Sequence, residues 1–224
     1  MKLLSISSAA TSDIAYSFDG DWGNDSYWGA NAPYDYFEGH SRTRRTLAQD
    51  LRFLGNGQTL AYGQLRPVIG AYIMQLREDD TQLDSWNDQY YGAGQSTLYS
   101  SFKSTSAALY GSLELLTAGG NTLSLGLRAE QHAADYADTA DAPFPHEREW
   151  LAGGNLSWLW HARDTRQYYA TLARGYKAGG FNIGAGIDEA QRQFSPEALW
   201  NLEFGLRTQD ATGNIGLRAD VYAM

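Results

Sequence analysis

Cysteine is absent from this 224-residue chain, which excludes disulfides, thiol catalysis and thiolate-bound zinc. Positive charge is also scarce, with 17 Lys and Arg against 26 Asp and Glu and a net charge of −9. No basic stripe offsets phosphates, so a nucleic-acid partner is not expected. The one basic cluster, Arg42, Arg44 and Arg45, reads as a solvated strand end. No apolar run approaches the roughly 20 residues of a membrane-spanning helix. The opening MKLLSISSAATSDIAYS starts like a signal peptide, yet it turns polar before an apolar region of about 7 to 15 residues can form. Any export signal is therefore expected outside this chain.

Familiar catalytic patterns are missing as well. His40, His132, His146 and His161 show no metal-ligand spacing such as His-x-x-x-His. A glycosidase would need two carboxylates about 5 to 10 Å apart, and nothing in the spacing of Glu189, Glu197 or Glu203 favours that role. GAGID (184 to 188) has neither the third glycine nor the strand-to-helix setting of a nucleotide loop. No enzyme activity, cofactor or metal is expected.

What the chain does have is 13% aromatic residues, including 15 Tyr and 7 Trp, together with 24 Gly. Such a mixture favours strands and turns. Nine strands are expected near residues 3 to 18, 41 to 54, 61 to 77, 96 to 116, 121 to 135, 148 to 161, 166 to 177, 197 to 208 and 214 to 223. Their residues alternate. Trp200, Leu202, Phe204 and Leu206 oppose Asn201, Glu203, Gly205 and Arg207, and Ile215, Leu217, Ala219 and Val221 oppose Gly216, Arg218, Asp220 and Tyr222. A soluble sandwich would bury the apolar set, whereas an outer-membrane barrel would give it to lipid. Alternation alone allows both.

The connections favour the barrel. Long segments (GDWGNDSYWGANAPYDYFEGH, EDDTQLDSWNDQYYGAGQ, ADTADAPFPHE, AGGFNIGAGIDEAQRQFSPE) alternate with short ones (GNGQT, TAGGN, HARDT, TQDATGN), the rhythm of extracellular loops and periplasmic turns. Trp158, Trp160, Tyr168 and Tyr169 flank HARDT and suit an interfacial aromatic girdle. An Arg or Lys facing lipid at mid-membrane costs about 2 to 4 kcal/mol. Asp50, Arg52, Arg128, Glu130, Glu203, Arg207 and Arg218 are therefore expected to face a lumen, and a charge network of Arg174, Lys177 and Glu203 is expected there too.

Three segments resemble the barrel of TonB-dependent outer-membrane receptors. RTLAQDLRF (45 to 53) resembles a family strand, with Asp50 where Glu is more usual. PVIGAYIMQLREDD (67 to 80) resembles the strand that follows it. YYATLARGYKAGGFN with FSPEALWNLEFGLR resembles the family's most recognisable passage, in which Gly175, Gly179 and Gly180 let the strand bend at its exit and Pro196 precedes Glu197.

This resemblance implies an all-β fold: an antiparallel up-and-down transmembrane β-barrel segment of about nine long strands. It also implies energised import of a ferric siderophore or similar scarce nutrient in a Gram-negative cell outer membrane. Residues 1 to 224 would be a partial barrel, without the plug domain through which the intact receptor meets the TonB complex and without the remaining strands of about 22. Partners would be outer-membrane lipid, TonB and a small ligand. Ligand contacts are expected from loop residues Tyr27, Trp28, Tyr36, His40, Trp86, Tyr90 and Tyr91. The alternative is a secreted all-β binding domain, for instance for carbohydrate.

Overall fold

The computed structural model describes every residue except 141–143, 145, 164, 183–186, 210, 211 and 213. The GAGID motif and the HARDT and TQDATGN turns fall partly outside the described residues. The strands are β1 (Lys2–Asp19), β2 (Tyr34–Leu54), β3 (Gln58–Leu60), β4 (Gly63–Asp88), β5 (Gly92–Thr117), β6 (Thr122–Asp138), β7 (Glu147–Arg163), β8 (Arg166–Lys177), β9 (Gly180–Phe181), β10 (Gln193–Phe194), β11 (Glu197–Gln209) and β12 (Gly216–Ala223). Nine of them form one antiparallel meander in the order β1-β2-β4-β5-β6-β7-β8-β11-β12, with β3 folded onto β4. β9 and β10 make a separate two-stranded hairpin in the connection from β8 to β11.

The expected strands are present, and most end within about three residues of the expected limits. The third connection is different. EDDTQLDSWNDQYYGAGQ is not a long loop, because β4 and β5 stay paired from Gly63–Thr117 up to Asp88–Gly92, leaving only residues 89–91 as a turn. Polar residues occupy both faces of this extension, which a strand in water tolerates and an alternation-based reading takes for loop. Likewise β2 begins at Tyr34 rather than near 41, so the first connection is shorter than expected. It contains a one-turn helix, α1 (Asp25–Trp28), capped by the Asn24 side chain.

Register divides the sheet into two chemically distinct faces. Leu51, Ala71 and Leu109 lie side by side on one face, as do Phe53 and Ile69, Leu113 and Leu125, Leu115 and Leu123, and Leu202 and Leu172. These side chains stay open to the surroundings: Leu109 is 70% exposed, Ile69 65% and Leu127 63%. On the other face Glu78, Asp80, Ser104, Ser106, Glu130, His132 and Tyr136 are buried. A single layer buries one face only by curving around it, so the polar face is concave and the apolar face convex. No second layer covers the apolar face among the described residues.

Candidate ligand-binding site

Two groups of residues define the concave face. The lower one centres on Asp50, which receives hydrogen bonds from Tyr110 Oη (2.5 Å) and from Arg52 Nη2 (2.5 Å). Arg128 lies over the rings of Tyr72 (5.2 Å) and Tyr110 (5.9 Å) and donates to Glu130 (2.7 Å). The Tyr176 hydroxyl adds a bond to Glu130 at 2.9 Å. The four charges Asp50, Arg52, Arg128 and Glu130 thus form one network bound together by tyrosines. Room for those rings comes from glycine. A side chain on Gly70 would collide with Tyr110, its cross-strand partner, and one on Gly205 would collide with Tyr169.

Farther along β2 and β4, Arg44 and Arg42 pair with Glu78, and Arg42 Nη2 also reaches Asp80 at 3.1 Å. His40 joins this cluster through Asp80 (3.1 Å) and Glu38 (2.9 Å), with its ring stacked on Tyr16 at 4.7 Å. Expected to contact ligand from a loop, His40 is instead held within a strand by two carboxylates.

The outer rim is aromatic and acidic. Trp28 packs on Tyr27 (5.1 Å) and Tyr34 (4.4 Å), and Tyr34 on Tyr36 (5.0 Å). Tyr36 is the cross-strand partner of Trp86, whose indole covers Gly94. The Trp28 Nε1 donor is buried without an acceptor. Tyr90 and Tyr91 stand apart on the β4–β5 turn, 76% and 83% exposed. Asp21 ties the first loop to β2, its carboxylate accepting from the Gly23 amide (2.8 Å) and the Tyr36 amide (3.0 Å). Those two bonds, Gly23 first, hold the Asp21 carboxyl below its usual range. Burial, reinforced by Asp88, raises the Tyr36 hydroxyl.

A second rim element joins two connections. Tyr136, Phe144 and Phe181 form a ring cluster with centroids 5.5 to 6.0 Å apart. Arg192, at the end of α2 (Glu189–Arg192), stacks on Phe144 and pairs with Asp138. Burial, then the bond to Asp138, pushes the Tyr136 hydroxyl well above its usual range.

Two sequence-based expectations are corrected here. Tyr169 turns away from the Trp158, Trp160 and Tyr168 stack and donates to Glu203 at 2.7 Å on the concave face. The Arg174, Lys177 and Glu203 network does not form. Arg174 shares the convex face with Trp200 (6.0 Å) and donates to the Ala152 carbonyl, while Lys177 lies over Phe194 at 5.4 Å. Arg174 keeps the outward parity of Leu172, while beyond the last β7–β8 pair, Gly154–Arg174, Tyr176 breaks that parity and turns inward to Arg128. Glu203, Arg207 and Arg218 do share the concave face, with Arg207 opposite Arg218. Glu78, Asp80, Tyr110, Tyr176 and Arg192 were not expected; for Tyr110, position opposite Gly70 and Arg128 was the available signal.

The sequence matches no curated protein. Solved structures supply the fold. The ferric yersiniabactin uptake receptor FyuA from Yersinia pestis aligns over 98% of this chain and 32% of its own, with 21% identity and a TM-score of 0.68. The siderophore receptor PiuA from Acinetobacter baumannii aligns over 98% and 37%, with 15% identity and a TM-score of 0.73. BauA, the ferric preacinetobactin receptor of the same organism, aligns over 98% and 34%, with 16% identity and a TM-score of 0.65. The chain spans about a third of the length of these receptors. A family model described as TonB-dependent receptor-like β-barrel matches residues 5–224. With its meander, its two-faced register and that match, the chain belongs to the TonB-dependent receptor β-barrel family.

Proposed function

We propose that this chain is a wall segment of an outer-membrane receptor that imports a ferric siderophore or similar scarce chelate, with its convex face in lipid and its charged concave face toward the lumen. One observation carries this reading: a single sheet with an uncovered apolar face and a buried, internally paired polar face. A sandwich, as in a secreted binding domain, would need a second sheet over Leu109, Ile69 and Leu127. In the intact receptor a plug would occupy the lumen and transmit the TonB pull; residues 1 to 224 supply part of the surrounding barrel.

Ligand contact belongs to the rim. Trp28, Tyr36 and Trp86 offer aromatic faces, and Tyr27, Tyr90 and Tyr91 stand outermost. No Lys or Arg occurs from 19 to 41 or from 78 to 102, whereas Asp19, Asp21, Asp35, Glu38, Asp84 and Asp88 do. A field of that sign disfavours polyanionic chelates and favours neutral or cationic ones. Partition tests the membrane reading. Refolded from urea, the chain is expected to enter detergent micelles or vesicles as sheet, and recovery of a soluble monomer without detergent would refute it.

A further inference from the structure

The convex face can be read upward from the short turns as rows of cross-strand neighbours. Leu65 faces Leu115 and Pro67 faces Leu113. Ile69 lies between Phe53 and Gly111, Ala71 between Leu51 and Leu109, and Ile73 between Gln49 and Ala107. Leu47, Gln75 and Thr105 form the next row. Above them Arg45, Arg77 and Lys103 are direct neighbours on three adjacent strands, all exposed.

This row is unusual on two counts. Strands lie about 4.8 Å apart, so three positive charges stand side by side, an arrangement that destabilises a sheet when nothing offsets it. The acids nearby offset the charge of Arg77 and leave the other two. Asp79 accepts from Arg77 Nε at 3.1 Å, while Asp135, the cross-strand partner of Lys103, is engaged by His146 at 2.7 Å. Arg45 and Lys103 have no ion-pair partner among the described residues.

Height adds the second constraint. From Leu65 to Arg77 the strand rises about 40 Å, or about 30 Å along the membrane normal at the usual tilt of roughly 40°. The lipid-facing apolar band of such barrels is about 25 Å tall. The cations therefore sit just above that band, at headgroup level on the side of the longer connections.

We propose that Arg45, Arg77 and Lys103 form a docking row for the phosphate groups of anionic lipid in the outer leaflet. The assignment rests on the membrane reading above, and charge complementarity selects the occupant: the row needs anions, and at this height the bilayer supplies them. Acyl chains would lie below, along Leu47, Ile73, Leu51 and Leu109.

The test is co-flotation of the refolded full chain with vesicles of phosphatidylcholine, with or without phosphatidic acid. Wild type is expected to favour the acidic vesicles by roughly fivefold per cation, the equivalent of about 1 kcal/mol each. The R45Q/R77Q/K103Q variant is expected to lose that preference while entering neutral vesicles as well as wild type does. R45K/R77K, which keeps the charge, is expected to retain it. An unchanged preference in the glutamine variant overturns the proposal, as does its erasure by inorganic phosphate matched to the lipid phosphate concentration. Failure of wild type to enter either vesicle refutes the membrane reading itself.

Discussion

Arg192 donates from Nη1 to Asp138 Oδ2 at 2.9 Å, and the two side chains are only 1% and 0% exposed. The pair joins the β8–β11 connection to the outer end of β6, beneath the ring cluster of Tyr136, Phe144 and Phe181. Two loops far apart in sequence are thus locked to each other. Removing one member of a buried pair typically costs about 3 to 5 kcal/mol. R192A is therefore expected to release the β8–β11 connection to proteolysis while the strands below stay protected, as limited digestion in detergent would reveal. Equal cleavage rates in R192A and wild type would refute the lock.

Gly70 and Tyr110 supply a packing test. A Cβ on Gly70 would meet the Tyr110 ring, so G70V must push that ring from its place over the glycine and weaken its bond to Asp50. Overpacking of this kind costs about 1 to 3 kcal/mol. Gly111 is a useful control, since an added Cβ there contacts only the Val68 carbonyl at 3.2 Å. Urea midpoints should fall clearly for G70V and less for G111A.

Charge pairing on the concave face can be tested by a double-mutant cycle. R128M strands Glu130, which is 8% exposed, with only the neutral hydroxyls of Tyr176 and Ser106 among its remaining donors. A loss of about 3 kcal/mol is expected, because Arg128 keeps part of its surface in solvent. R128M/E130M removes both charges and should recover much of that stability in denaturant melts.

Acid should loosen the first loop before it affects the sheet. The Asp21 carboxyl is held below the ordinary carboxylate value of 3.8 by the Gly23 and Tyr36 amides. A depressed carboxyl contributes stability above its unfolded value that is lost as pH falls through the folded value. Protection of the Gly23 and Tyr36 amides against hydrogen exchange, relative to their intrinsic rates, should fall below about pH 4 in wild type. D21N should show lower protection already at neutral pH and little further loss with acid.

On the proposed function, W28A and Y36A at the rim are expected to weaken binding of a ferric chelate by about tenfold, each losing roughly 1 to 3 kcal/mol of aromatic contact. Equilibrium binding of matched neutral and polyanionic ferric chelates measures this and the expected charge preference together. Unchanged affinity in both variants would assign these rings to loop packing alone.

The parts of the fold that were legible in the sequence are those where lipid and water impose opposite demands on alternate residues. Within ALWNLEFGLR and LSLGLRAE that demand fixes both strand and face, and Glu203, Arg128 and Glu130 lie where parity puts them. Above Arg77 both faces are polar. Alternation there carries no information, and residues 78–88 looked like loop. Arg174 shares the parity of Leu172 and Trp200 and faces outward with them, whereas Tyr176, two residues on and past the end of β7–β8 pairing, turns inward to Glu130, a reversal no residue count contains. Nor could spacing bring Arg192 to Asp138, since that contact depends on how two loops fold over one another.

The unbroken pairing of β4 with β5 has a mechanical consequence. A hairpin with continuous register and a three-residue turn bends as a beam, so a displacement of the turn as a whole tilts the paired strands beneath it. A molecule pressing on that tip would apply torque to the row of Arg77 and Lys103 below. Contact made well outside the bilayer would be felt at its surface.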